Sequence, residues 1–390
     1  MFALNKIILS LVCSILFSSA LGAANNNNPE EITKPHFYVP FSIHIDPMES
    51  LLLINIENDP DSLYIGFEPQ LFDDTINGKG MLIIAWRTDG YVDIYHQPAL
   101  KLDPDKYDIA GKGLANRVEV PLEGAYFRVE ERGVQAWFQM TDIMNRNIEV
   151  SIRENHPRKR KPFGLLAPMG DAAQNPSALP LVLLHDFYFV RQKHTQVSVE
   201  IDGKLHTPDK LPMPMDRRKM YFIRYSTDPL IATVNQAFSG PLEPIEIIND
   251  SECFHHETRL QLNNNKRYYQ IEKISRGYKN HTLQMNFDPP FPNIADIQTG
   301  DKLNGIFKIE GDHSTGIVKG DYTLAEKDGA ITITMNPSHG WKPRPDKISL
   351  RMMYTVAGVF KKWPMSYYWN AEISFDEDGQ PFMKSQWVRK

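Results

Sequence analysis

The chain has 390 residues and a formal net charge of -5, and without a global basic excess a nucleic-acid partner is not expected. Hydrophobic residues make up 42% and charged residues 23%, the balance of a globular protein. The length suits two domains of roughly 100–200 residues each, and 11% aromatics with 28 Pro and 23 Gly favour strands punctuated by turns.

Residues 1–24 read as an export signal. Lys6 supplies the positive start, residues 7–17 (IILSLVCSILF) the apolar stretch, and Ala23 and Ala24 the small residues for cleavage. The expected location is therefore periplasmic or extracellular. No later segment approaches ~18 apolar residues, so no transmembrane segment is expected in the mature chain. Cys13 lies in the signal. Cys253 is then alone, cannot form an internal disulfide, and reads as a small buried hydrophobe. Residues 25–36, with the run NNNN, read as a flexible spacer.

From Phe37 the pattern is β. Residues 80–87 and 91–97 alternate around the turn Thr88-Asp89-Gly90. Residues 125–130, 134–140 and 148–153 form a three-stranded antiparallel meander. A Pro-rich crossing at residues 156–180 carries the basic run Arg158-Lys159-Arg160-Lys161, read as a solvated loop or, more sharply, an anion-binding or proteolytic site. An aromatic strand (HDFYFV) and an alternating one (VSVEIDG) follow. Residues 228–237 (DPLIATVNQA) predict a short helix, with Asp228 as N-cap and Pro229 at the first helical position. Gly and Pro cluster at residues 238–244, which places a boundary there. A second meander occupies residues 302–310, 316–325 and 330–335, followed by a crossing at 336–345 and a second aromatic strand (SYYWNAEI). The shared order of features reads as a structural duplication.

The predicted fold is all-β: two tandem antiparallel lipocalin-like β-barrels, or sandwiches, with little helix, at residues 37–240 and 241–390. A barrel of about eight strands is filled by side chains or holds one ligand. Alternate rings of Phe187, Tyr188 and Phe189, and of Tyr367, Tyr368 and Trp369, are the candidate ligand-binding residues, offering apolar walls with a polar handle. His185 and Asp186 are the candidate catalytic residues. As strand neighbours they point to opposite faces, which leaves His185 on the apolar wall with Phe187 and Phe189, and Asp186 meeting an Arg or Lys.

The segments HDFYFVRQKHTQVSVEIDGK, GIVKGDYTL with GAITITMNPSHGW, and WPMSYYWNAEI resemble, in order and texture over residues 50–390, the AttH-like proteins related to carotenoid 1,2-hydratase. That resemblance implies two lipocalin-like barrels side by side with an apolar ligand in or between them. No catalytic motif of the group has a counterpart here, so no catalytic residue carries over.

His255-His256-Glu257 lacks the H-E-x-x-H spacing of a zinc site and, on a strand, gives two ligands at most. His281, His313 and His339 read as surface residues near turns. No metal and no cofactor are expected. Three functions are open: an exported protein binding an apolar or amphipathic small molecule such as a lipid or polyene; a cofactor-free hydratase or isomerase acting on such a ligand; and a surface carbohydrate-binding or interaction module using exposed Trp341, Trp363 and Trp387.

Overall fold

The computed structural model describes residues 37–107, 110–168, 176–247, 251–264 and 268–390; the expected export signal and spacer, and residues 169–175 of the first crossing, lie outside them. Strand accounts for 59% and helix for 7%, so the fold is all-β, in several curled sheets.

The first sheet has ten strands. Its path runs Ile43–Asp46, Asp228–Val234, Leu179–Arg191, Met220–Ser226, Ser50–Asn55, Tyr64–Asp74, Gly78–Arg87, Val92–His96 and Leu114–Glu119, with Phe163–Ala167 paired to Leu179–Arg191 off the path. The second sheet has five: Lys204–His206, Thr195–Ile201, Asn147–Glu154, Gly133–Thr141 and Tyr126–Glu130. It contains the first expected meander. The third is a ten-stranded antiparallel meander that follows chain order from Glu252–His255 to Pro381–Arg389 and is closed by Phe238–Pro241. It contains the second. The first half splits its strands over two sheets with crossovers, whereas the second lays them down in sequence. The expected duplication is therefore not reproduced in the topology.

Alternation explains these strands. In Ala330–Lys342 the residues Ile331, Ile333 and Met335 are buried while Thr332 is exposed. Asp328 and Gly329, both at positive φ (55° and 84°), make the tight turn before it. The expected helix at 228–237 is instead the strand Asp228–Val234. Its backbone pairs along Leu179–His185, and with Thr233 and Val234 β-branched, this pairing outweighs the local capping signal. Helix appears at Ile348–Val356.

The first sheet packs one face on the second. Phe67 meets Phe138 with ring centroids 6.2 Å apart, and the Tyr95 hydroxyl accepts from the Ile143 amide at 3.1 Å. The third sheet meets the first along its edge strands. Trp387 Nε1 donates to the Val234 carbonyl at 3.0 Å, and Arg276 Nη1 to that of Ile43 at 2.8 Å. Phe41 inserts its ring among Phe287, Phe291 and Trp369 at 4.8–5.7 Å.

Candidate functional site

His185 and Asp186 sit where the strand Leu179–Arg191 bends. Up to His185 this strand pairs with Asp228–Val234, and from Tyr188 with Met220–Ser226. Asp186 between them takes φ +47°, a left-handed conformation that interrupts the two-residue alternation. Arg160 Nη2 and the Thr227 hydroxyl hold its carboxylate at 3.0 and 2.5 Å. The Arg160 side chain comes from the basic run of the first crossing.

His185 reaches in the other direction, to the third sheet. Its ring stacks on that of His281, with centroids 3.8 Å apart and planes 6° from parallel. The His185 Nδ1 lies 3.1 Å from the Asp228 carbonyl, a contact that a proton on Nδ1 satisfies, and Nε2 lies 3.2 Å from Asp312 Oδ2. His281 meets Asp312 through Nδ1 and Asp228 through Nε2, the latter at 2.8 Å. His281 is only 8% exposed, which corrects the expectation of a surface residue: the turn at residues 311–315 packs down on the bend. A Cβ on Gly311 would lie 2.5 Å from a Leu183 methyl, so a side chain there would have to push Leu183 aside.

Ligand atoms of His185, His281 and Asp312 lie within 4.8 Å of one another. The stacking nevertheless opposes a shared ion. Imidazole lone pairs lie in the ring plane, and two parallel planes stacked face to face cannot both contain an ion held ~2.1 Å from each nitrogen. The cluster instead suits a proton. Burial pulls the His281 pKa down, but the hydrogen bonds its ring donates to Asp228 and Asp312 outweigh it and raise the pKa above the usual histidine value. Burial and the charge of His281 push that of His185 down. His281 therefore stabilises the fold below its unfolded pKa of about 6.5, and this contribution is lost as pH rises through the raised folded value. His185 acts oppositely, destabilising the fold as pH falls below about 6.5. Thermal melts should show that His281→Asn lowers the melting temperature more at about pH 5 than at about pH 9. An equal loss at both would contradict this assignment.

The expected aromatic residues divide. Tyr188 faces the second sheet, donating to Asp216 at 2.7 Å under the Arg191 guanidinium. Phe187 and Phe189 lie on the opposite face, packed with Phe163 at 5.3 and 6.4 Å. Tyr367 and Trp369 are buried in the third sheet, and Tyr368 is half-buried. The structure does not bring these three together with Phe187–Phe189. Trp341, Trp363 and Trp387 are at most 4% exposed, so the row of exposed indoles required by the surface module does not exist. Glu257 is tied to Arg276.

Sequence reasoning missed a polar group on the Phe189 face. Pairing aligns Phe189 with Arg224, Arg224 with Leu53, and, further along, Glu68 with Ile84 and Ile84 with Ile94, all on the face turned from the second sheet. Arg224 is half-buried, lies 4.1 Å over the Phe222 ring, and uses Nη1 alone: toward Asn55 Oδ1 at 2.7 Å and the Phe222 carbonyl at 3.4 Å. Among the described residues its Nε and Nη2 have no partner. Burial lowers its pKa to about 10 despite the carboxylates of Glu68, Glu57 and Asp209. The Glu68 carboxyl is held by Gln70 Nε2 at 2.9 Å and Trp86 Nε1 at 3.2 Å, yet burial pushes its pKa up. A guanidinium with idle donors, a carboxyl biased toward its protonated form and flat aromatic faces can receive an anionic group and the apolar body attached to it.

No protein-family model, no curated protein and no solved structure matches the chain.

Proposed function

We propose that the protein binds a small amphipathic molecule with one anionic end at Arg224, on the face of the first sheet turned from the second. The anion pairs with Arg224, the Glu68 carboxyl lies beside it, and the half-buried Trp86 and Phe222 take the apolar body. The observation that carries this reading is Arg224 Nε and Nη2, which meet no protein acceptor among the described residues, on a guanidinium whose pKa burial lowers. A wholly apolar ligand would leave those donors buried and unmet, at about 1–3 kcal/mol. The resemblance to AttH-like proteins and an export signal at residues 1–24 belong to the same reading, which makes this an exported carrier or sensor.

Glu68 favours a second reading. A carboxyl whose pKa burial raises, set beside an apolar surface, is the kind of acid that protonates a double bond, so a hydratase or isomerase would use Glu68 rather than His185 or Asp186. Native mass spectrometry of the purified protein tests the first reading. The expected result is a co-purified anionic amphiphile on the wild type, absent from Arg224→Met. Equal loading of both proteins would overturn it.

A further inference from the structure

Helix Ile348–Val356 stands apart from the β architecture. One side, Leu350, Met353 and Tyr354, is buried against Trp341 and Phe360, with ring centroids 5.0 Å apart for Trp341–Tyr354 and for Tyr354–Phe360. The other side is apolar too. Ile348, Met352 and Val356 recur every four residues and are 84%, 57% and 68% exposed, and Val359 continues the stripe at 42%. The helix is therefore anchored on one side while presenting apolar side chains to solvent on the other.

The charges around the stripe are mainly positive, with Asp346 the exception. Lys347 precedes it, the exposed Arg351 lies within it, and exposed Lys361 and Lys362 follow it. Beside the helix opens a groove of about 440 Å³, lined by Phe163, His313, Ser314, Arg344 and Arg351, with Asp346 its one acidic side chain. Arg344 contacts Glu310 only at 3.5 Å. An apolar stripe bordered by cations matches an interfacial helix, whose apolar side enters the acyl boundary while its cations meet lipid phosphates. A partner protein buried on the same stripe would have to supply acidic groups around an apolar ridge, whereas an anionic bilayer offers both at once.

We propose that residues 347–362 dock the protein on an anionic phospholipid surface, with the groove at Arg344 and Arg351 taking a headgroup phosphate. The docking site is separate from the Arg224 face and does not depend on it.

The test is co-sedimentation with vesicles of equimolar phosphatidylglycerol and phosphatidylcholine, and with vesicles of phosphatidylcholine alone. The wild type should bind the anionic vesicles at least ~10-fold better and be released by salt. A variant carrying Ile348→Ser, Met352→Ser and Val356→Ser changes only exposed positions, so circular dichroism should be unaltered while binding falls at least ~10-fold. Lys361→Glu with Lys362→Glu should erase the preference for anionic vesicles. Arg351→Glu should weaken vesicle binding in a phosphate-free buffer; binding of millimolar inorganic phosphate by a wild type that binds no vesicles would mark a free-anion site and overturn the proposal. So would equal binding to both vesicle types, equal binding by the serine variant, or a stripe-dependent dimer that ignores vesicles.

Discussion

Replacing Glu154 by Ala should destabilise the fold by about 3–5 kcal/mol, the largest effect expected of any single polar substitution here. Glu154 closes a strand of the second sheet and Arg191 a strand of the first, and both side chains are wholly buried. Glu154 Oε1 accepts from Arg191 Nε at 2.5 Å and from its backbone amide at 3.1 Å. The guanidinium also donates to the carbonyls of Arg132 at 2.5 Å and Arg158 at 2.8 Å. Truncating the carboxylate leaves a buried cation compensated by carbonyls alone. Removing both charges, as in Glu154→Leu with Arg191→Met, should cost less than the single change, because no uncompensated ion remains. Urea unfolding with an unchanged slope provides the measurement. The exposed pair Lys159–Glu131 gives the control, since Glu131→Ala should cost under about 1 kcal/mol. If Glu154→Ala cost no more than Glu131→Ala, the sheets would not be joined through this pair.

Trp369→Ala should cost about 3–5 kcal/mol through the cavity it opens. The ring is fully buried, tilted against Phe41 at 5.7 Å, and lies opposite the equally buried Trp387 in the neighbouring strand. Its loss would therefore loosen both the third sheet and the Phe41 segment inserted into it. Among the described residues Trp369 Nε1 has no hydrogen-bond partner, so deleting that donor relieves a desolvated group. Trp369→Phe should accordingly cost clearly less than Trp369→Ala. Equal melting temperatures for the two variants would mean that packing volume is not what this position supplies.

Much of the fold was legible because the turns and the two-residue period agreed. The run AITITM after Asp328-Gly329 could be little else than a returning strand. Local signals failed where long-range pairing decided. Asp228-Pro229 looks like a helix start, but Leu179–His185 recruits the segment as a strand. Helix Ile348–Val356 escaped notice because half of its apolar residues face solvent, so its sequence lacks the polar face that marks an ordinary surface helix. At the site, Phe189 was visible as part of an aromatic run. Arg224 and Glu68 were not, since they share a face only through the register of strands distant in sequence. For the same reason nothing paired His185 with His281, which lies 96 positions further along the chain. Asp186 was placed by simple alternation, which its left-handed backbone breaks.

The most direct measurement of the account is calorimetric titration of a long-chain carboxylate, and of the matching neutral alcohol, into wild type and Arg224→Met. The account predicts that the wild type prefers the carboxylate by roughly 10–100-fold, in line with about 1.5–3 kcal/mol for a charged hydrogen bond. The variant should bind both compounds alike and melt within a few degrees of the wild type. A wild type indifferent to the carboxylate, or a variant that keeps the preference, would contradict the assignment of Arg224 as the anion-binding group.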